Sequence, residues 1–275
     1  MASTRIAVAQ TTSHWDVDAN IADLRQAVAS ARRDGAEMLF LPEMAGLLDR
    51  DRTRAAASIT TPEASPYLAA AREAALTHKL WIHLGSLPVM GEDGRWRNRS
   101  MVIDATGEVA GVYDKIHLFD VSHPTGEIWR ESAAYAPGDR LCVVEGTPVG
   151  RLGLAICYDL RFPELFIALR SAGAEVIAVP SAFTVPTGQA HWELLIRARA
   201  LDSGCDIIAA AQTGIHADGR KTFGHSMVSD AWGNVVLDAG VEARVRICDL
   251  DASGRDRARD TLPTQIHRGA RPIHL

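Results

Sequence analysis

The chain has 275 residues with a formal net charge of −5, and 47% of them are hydrophobic and 23% charged. This balance predicts a packed apolar core rather than disorder, and it offers no basic patch of the kind that nucleic-acid binding requires. No apolar run reaches the length of a membrane span, and the N-terminal segment lacks the apolar centre of a signal peptide. We therefore predict a cytoplasmic protein without nucleic-acid or membrane partners.

Short apolar runs alternate along the chain with alanine-rich or amphipathic stretches. The apolar runs predict strands at residues 5–9, 38–41, 81–84, 101–103, 109–113, 141–144, 152–156, 176–179, 207–211, 227–229, 235–237 and 245–248. The other stretches predict helices at residues 18–34, 65–78, 163–172, 191–203 and 252–259. Asp18 is the expected cap of the first helix and Gly35 its stop.

Several of these strands are joined by short turns, as in antiparallel hairpins. Residues 105–108, for example, separate the strands at 101–103 and 109–113. A purely parallel, doubly wound sheet is therefore excluded, and two packed sheets with helices outside them are a reasonable α/β arrangement. No linker, repeat or low-complexity tract divides the chain, so residues 1–275 are predicted to form one domain.

The four cysteines, Cys142, Cys157, Cys205 and Cys248, contain no C-x-x-C pair. A zinc ribbon or a thioredoxin-like site is therefore not expected, and free thiols suit a reducing cytoplasm. An acidic stretch at residues 16–20 lacks the glycine and the closing glutamate of a calcium loop, so we predict no metal there.

Cys157 follows a predicted buried strand and precedes a predicted helix. Strand ends are where α/β sheets form their sites, and a helix N-terminus would lower the pKa of the thiol and favour the thiolate. The alternative is a small core residue, as expected for the other three cysteines. The polar residues Asp159, Arg161 and Glu164 favour the functional interpretation, because a core cysteine needs no such neighbours.

Two more strand ends carry ionisable side chains. Glu43 follows an apolar strand and a proline, which suits a general base, although the motif taken alone favours an ordinary solvated loop glutamate. Lys115 is one of only three lysines in a chain with 29 lysines and arginines. A lysine kept against that bias indicates that a compact ammonium is needed where a guanidinium would not serve.

These three segments, in this order, resemble the nitrilase superfamily of carbon–nitrogen hydrolases. The matching motifs are Phe40-Leu-Pro-Glu43, Asp114-Lys115-Ile-His-Leu and Ile156-Cys157-Tyr-Asp-Leu-Arg-Phe-Pro-Glu164. The resemblance implies an αββα sandwich, a homo-oligomer of at least two chains and a Glu43–Lys115–Cys157 triad. It also implies a second glutamate, for which Glu131 matches best and Glu127 competes.

The resemblance implies acyl transfer without a metal or an organic cofactor. Glu43 would take the thiol proton, Cys157 would attack a small amide, and Lys115 with the backbone N–H of Tyr158 would stabilise the oxyanion. Phe183 and Thr187 lie in further matching segments, and we assign Tyr158, Arg161, Phe183 and Thr187 to substrate binding.

Within the superfamily, residues 190–200 and 220–226 resemble deaminated glutathione amidases and omega-amidases. Their substrates carry an anionic 2-oxo acid, which would need a cation near the pocket. Arg161 is one candidate, and Arg220 or Lys221 is another. The competing interpretation of Arg161 is an ion pair with Asp159 or Glu164.

Other functions remain as alternatives. An omega-amidase acting on 2-oxoglutaramate and an N-carbamoyl amine amidohydrolase would use the same chemistry. A serine hydrolase is disfavoured because residues 224–228 around Ser226 lack the second glycine of G-x-S-x-G. A catalytically silent binding protein is disfavoured because no member of the triad is missing.

Overall fold

The structure, a computed structural model, describes residues 3–122 and 128–270. Two β-sheets form its centre. The strands are β1 (Thr4–Gln10), β2 (Met38–Phe40), β3 (Trp81–His83), β4 (Leu87–Met90), β5 (Trp96–Ile103), β6 (Val109–Asp114), β7 (Asp120–Ser122), β8 (Ile128–Arg130), β9 (Val143–Thr147), β10 (Gly150–Leu154), β11 (Val176–Ala178), β12 (Asp206–Ala209), β13 (Thr213–Ile215), β14 (Lys221–Phe223), β15 (Met227–Ser229), β16 (Val235–Asp238) and β17 (Arg244–Leu250). Every strand predicted from the sequence is present, with bounds shifted by a few residues.

Each large sheet has a parallel centre and antiparallel edges. The first sheet has the order β17-β1-β2-β3-β5-β4, with β6 paired to β5, and β1, β2 and β3 run parallel. The second has the order β16-β15-β12-β11-β10-β9, and β10, β11 and β12 run parallel. The ribbons β7–β8 and β13–β14 are additional and had no clear signal in the sequence.

Alternating side chains divide the buried residues into two layers. In β1, Ile6 and Val8 belong to the apolar cluster between the two sheets, whereas Ala7 packs with the helices on the outer face of the first sheet. Met38 and Leu39 of β2 divide in the same way. Successive strand residues point to opposite faces, so a strand covered on both sides is apolar throughout. The predicted αββα sandwich is confirmed.

The helices are α1 (Val17–Arg33), α2 (Arg52–Ala56), α3 (Pro66–His78), α4 (Pro163–Ser171), α5 (Val185–Ser203), α6 (Ala252–Thr261) and α7 (Thr264–Ala270). Helices α1 and α3 pack together over the first sheet, and α4 and α5 pack together over the second. Within the described parts of the chain, none of the helices is both long and apolar enough to cross a membrane.

Two of the predicted helix starts are wrong. The cap of α1 is Asp16, whose carboxylate accepts the backbone N–H of Asp18, so the helix begins before Asp18. Helix α5 begins at Val185 rather than at His191. A proline in its first turn is compatible with the helix, because the N–H groups of that turn have no partner within the helix.

Candidate active site

Three segments that follow strands bring their side chains to one end of the sandwich. Glu43 follows β2, Lys115 follows β6 and Cys157 follows β10. All three side chains are buried and line one cavity. The structure therefore brings the predicted triad together, although the three residues are far apart in the chain.

Lys115 is held between two carboxylates. Its Nζ donates to Glu43 Oε1 at 2.9 Å and to Glu131 Oε1 and Oε2 at 3.2 and 3.0 Å. Burial alone would lower the pKa of Lys115, but the charges of Glu131 and Glu43 outweigh it and raise that pKa well above its ordinary value. The ammonium is therefore charged at neutral pH and fixed in position.

Cys157 occupies a sharp turn at the start of a 3-10 helix, Cys157–Arg161. Its φ of 48° lies in the left-handed region, which a residue with a side chain rarely adopts. Its N–H donates to Pro180 O at 3.0 Å, so the turn is tied to the neighbouring strand end. A strained turn of this kind is typical of a side chain that the fold must present at a fixed position.

The pKa of the Cys157 thiol differs from the prediction. We expected a helix N-terminus to lower it, but burial, and after it the charge of Glu43, raise it well above the ordinary value. Lys115 and the N–H of Ala182 lower it only in part. The resting residue is therefore a neutral thiol near Glu43, and any nucleophilic role needs that carboxylate as a base.

Asn98 is a site residue that the sequence analysis missed. It lies on β5, is buried, and its Nδ2 donates to Glu43 Oε1 at 2.9 Å and to Glu131 Oε1 at 3.2 Å. Its backbone O accepts the N–H of Lys115. A single asparagine in a polar strand gives no signal of its own, because its role depends on two glutamates that are distant in the chain.

Glu131 lies where the second glutamate was predicted. Its carboxylate accepts bonds from Lys115, Asn98 and the N–H of Phe119, the last at 2.6 Å. The competing candidate, Glu127, lies outside the described residues. Glu131 is therefore placed to hold the lysine and, with Asn98, the base.

The change Glu131→Gln is expected to lower kcat roughly 10- to 100-fold with little loss of stability, because one oxygen that accepts the Lys115 ammonium becomes a donor. The measurement is kcat beside the thermal unfolding midpoint. Glu127→Gln is the paired comparison. If only the Glu127 change reduced turnover, the second glutamate would have been assigned to the wrong residue.

Asp159 connects the lysine segment to the cysteine turn. This carboxylate is fully buried and accepts four hydrogen bonds, from Tyr113 Oη at 2.7 Å, Ile156 N at 2.8 Å, and His117 N and Nδ1 at 3.1 and 2.7 Å. Tyr113 and His117 flank Lys115, and Ile156 precedes Cys157. The function of Asp159 is therefore to fix the cysteine turn relative to the lysine.

The cavity in front of Cys157 has a volume of about 510 Å³. All four residues assigned to substrate binding line it, namely Tyr158, Arg161, Phe183 and Thr187. Thr187 Oγ1 bonds to Thr184 Oγ1 at 2.8 Å. The Tyr158 ring packs edge-on against Phe119. A cavity of this size suits a small ligand rather than a protein chain.

The structure decides between the predicted interpretations of Arg161. Its guanidinium lies over the rings of Tyr158 and Phe183, with Cζ 5.9 and 5.6 Å from their centroids, and contacts His191 at 3.4 Å. Within the described residues it forms no ion pair with Asp159 or Glu164. Arg161 is therefore available to a ligand in the cavity.

Of the other two cations considered, only Arg220 faces the cavity, whereas Lys221 is exposed and lies outside its lining. Ser226 is fully buried and bonds to the backbone of Ala211, which is a structural role. Within residues 3–122 and 128–270, no group of three or more His, Cys, Asp or Glu side chains could hold a metal ion.

Comparisons with known proteins agree with this geometry. A family model described as carbon-nitrogen hydrolase matches residues 5–260. The deaminated glutathione amidase of Yersinia enterocolitica is 39% identical over 97% of this chain and 93% of that protein. The crystal structure of the Caenorhabditis elegans NitFhit protein is 38% identical, with a TM-score of 0.89 over 98% of this chain and 66% of that one.

A third relative bears on the cysteine. It is a glutamate-to-glutamine variant of the amidase from Nesterenkonia sp. AN1, solved with acrylamide added to its active-site cysteine. It is 27% identical, with a TM-score of 0.78 over 98% of this chain and 100% of that one.

Proposed function

This chain belongs to the carbon–nitrogen hydrolase family and is an amidase, and from that premise we propose that it cleaves deaminated glutathione to 2-oxoglutarate and cysteinylglycine. We assign the reaction to Cys157, Glu43, Lys115 and Glu131, in one catalytic domain formed by residues 1–275. The observation that carries the assignment is the buried contact of Lys115 with Glu43 beside the Cys157 thiol.

Acylation begins with proton transfer. Glu43 accepts the thiol proton as Cys157 Sγ attacks the amide carbonyl carbon. The resulting oxyanion is stabilised by the Lys115 ammonium and the backbone N–H of Tyr158. Protonated Glu43 then donates to the departing nitrogen, the carbon–nitrogen bond breaks, and a thioester remains on Cys157. The active-site cysteine in the Nesterenkonia amidase supports the choice of nucleophile.

Deacylation uses the same groups. Glu43, again ionised, takes a proton from a water molecule, and the oxygen of that water attacks the thioester carbonyl carbon. Lys115 again faces the oxyanion. Collapse of this intermediate breaks the carbon–sulfur bond, and the thiolate recovers its proton from Glu43. The raised pKa of the Cys157 thiol favours this return to the neutral resting state. Water enters after the amine has left.

The substrate assignment is supported by the relative from Yersinia and by the charge of the cavity. Deaminated glutathione carries a 2-oxo acid on the acyl side of the scissile bond. We assign its carboxylate to Arg161, which lies beside Tyr158 and has aromatic rather than anionic neighbours. A buried carboxylate without such a partner would be costly.

A panel of amides tests the substrate. We expect kcat/KM to be highest for deaminated glutathione, lower for 2-oxoglutaramate, and lowest for glutamine and a simple aliphatic amide. Product analysis should show 2-oxoglutarate and cysteinylglycine in equal amounts. A higher kcat/KM for the aliphatic amide or for a carbamoyl amine would overturn the substrate assignment and leave the chemistry of Cys157 standing.

We also assign the protein to a homo-oligomer of at least two chains in a reducing cytoplasm. Several large apolar residues are exposed around α5 and the β15–β16 turn, namely Leu194, Leu201, Trp232 and Val236. Exposed apolar surface of this kind is typical of a contact between subunits. Sedimentation at micromolar concentration should show a dimer or a larger species, and a monomer alone would contradict this.

A further inference from the structure

Arg220 is a largely buried cation, with a side chain 17% exposed, whose charge is poorly matched by its neighbours. Its guanidinium lies over the Trp129 ring, 5.2 Å from the centroid, at the wall of the active-site cavity. Its Nη2 is 3.6 Å from Asp218, longer than a hydrogen bond, and its Nε is buried without a partner in the described structure. Burial lowers the pKa of Arg220, as expected for a charge that lacks full compensation.

Asp218, the carboxylate that pairs with Arg220 in the described part of the chain, also accepts backbone hydrogen bonds. Asp218 accepts the N–H of Arg50 at 2.8 Å and the N–H of Arg220 itself at 2.9 Å. Asp218 therefore orders the loop, and the guanidinium remains turned towards the cavity. Lys115 differs, because two carboxylates contact its ammonium directly.

The wall of the cavity is cationic although the chain as a whole is acidic. Among the described residues that line it, six are cations and three are carboxylates, whereas the chain has a net charge of −5. Glu43 and Glu131 are both engaged by Lys115. Arg52 and Arg130 bond to backbone oxygens, whereas Arg161 and Arg220 lie over aromatic rings, and two such cations favour a ligand with more than one negative charge.

Arg220 and Arg161 lie on different walls. Arg161 contacts the cysteine turn and the start of α5. Arg220 contacts Trp129 and, through Asp218, the segment that follows Glu43. Glu43 protonates the departing nitrogen, so the amine half of the substrate leaves from the Glu43 side. Arg220 is therefore on the amine side and Arg161 on the acyl side.

We propose that Arg220 binds a second substrate carboxylate, carried by the amine product, and so makes the enzyme select amides with an anion on both sides of the scissile bond. This rests on the proposed function and deepens it. In deaminated glutathione the second carboxylate is that of the terminal glycine. The compound 2-oxoglutaramate has only the acyl-side carboxylate, so it can engage Arg161 but has no group for Arg220.

The test compares deaminated glutathione with the same molecule bearing a terminal glycinamide, which removes only the second carboxylate. The wild-type enzyme is expected to show a kcat/KM roughly 10- to 100-fold higher for the acid, as for loss of a charge-assisted hydrogen bond. Arg220→Gln should reduce this ratio to about threefold or less, and Arg220→Lys should retain part of it. Lys221→Gln, next in the chain and exposed, is the matched control and should keep the ratio.

Binding gives a readout that does not depend on turnover. Calorimetry with the Cys157→Ala protein should show the same preference in Kd, and adding Arg220→Gln should remove it. Arg161→Gln should weaken both ligands equally. A wild-type enzyme that treats acid and glycinamide alike, or a preference that survives Arg220→Gln, would overturn the second subsite.

Failure of the proposed substrate has a different signature. The panel would then rank another amide above deaminated glutathione. The test would then use two amides of the acyl group that the panel prefers, the N-carboxymethyl amide, which carries the second carboxylate, and the N-ethyl amide, which lacks it. The wild-type enzyme should prefer the N-carboxymethyl amide, and Arg220→Gln should lose that preference. If that preference were absent in the wild-type enzyme, Arg220 would have no role in recognising the amine half.

Discussion

Replacing Cys157 by alanine is expected to abolish amide hydrolysis, lowering kcat by roughly 10⁴-fold or more, as for loss of other covalent nucleophiles. The reason is geometric: Cys157 is presented on a strained turn, and it lines one cavity with Glu43 and Lys115, which bond to each other. The fold should persist, because alanine keeps the backbone and removes only one sulfur atom. The measurement is single-turnover hydrolysis beside the thermal unfolding midpoint.

Cys205 provides the matched control. It is fully buried between a helix end and β12, and its thiol donates to Ala174 O at 3.3 Å, away from the cavity. Cys205→Ala should therefore lower stability by about 1–2 kcal/mol, as for other small core truncations, and leave kcat near the wild-type value. Comparable activity in the two variants would contradict a covalent mechanism.

A trapping experiment sharpens the same prediction. Rapid quenching of the wild-type enzyme with substrate should give a protein whose mass has increased by one acyl group, and digestion should place that group on Cys157. Iodoacetamide should label the same residue faster than the buried Cys205, since only Cys157 lines the cavity. The Cys157→Ala protein should form no acyl adduct, and iodoacetamide should label it mainly at the partly exposed Cys142 and Cys248.

The fold was predictable because its signals are local. Strands covered on both faces are apolar throughout, as in β1 and β2, and turns such as residues 105–108 mark a hairpin within a few residues. The positions of Glu43, Lys115 and Cys157 were predictable for a related reason. Each follows a strand, and strand ends are where α/β sheets form their sites, although β2 and β6 belong to the first sheet and β10 to the second.

The parts that failed depend on contacts between distant segments. Asn98 is a site residue only because β5 places it between Glu43 and Glu131. The pKa of Cys157 was predicted in the wrong direction because the helix N-terminus is a local feature, whereas burial and Glu43 come from the rest of the fold. The unmatched charge of Arg220 is equally invisible in sequence, since it arises from the buried Nε and the occupied Asp218.

Lys115→Arg tests whether the site needs a compact ammonium or only a positive charge. The Lys115 side chain is 3% exposed, and its Nζ is fixed by bonds of 2.9–3.2 Å to Glu43 and Glu131. A guanidinium is wider and planar. If it pairs with these two carboxylates, its N–H groups no longer lie where the ammonium would meet the oxyanion. We expect kcat to fall about 10²- to 10³-fold, nearly as far as in Lys115→Ala.

Lys115→Ala and Lys115→Arg should have similar kcat values but differ in their free energy of unfolding. Lys115→Ala leaves two buried carboxylates without their cation, which is expected to cost about 3–5 kcal/mol of unfolding free energy. Lys115→Arg keeps the charge and should lose less. Chemical denaturation beside kcat measurements for both variants gives the comparison, and Lys221→Arg, at an exposed position, is the control for the exchange itself. An arginine variant with near wild-type kcat would show that Lys115 contributes charge alone, and the oxyanion role would have to pass to another donor.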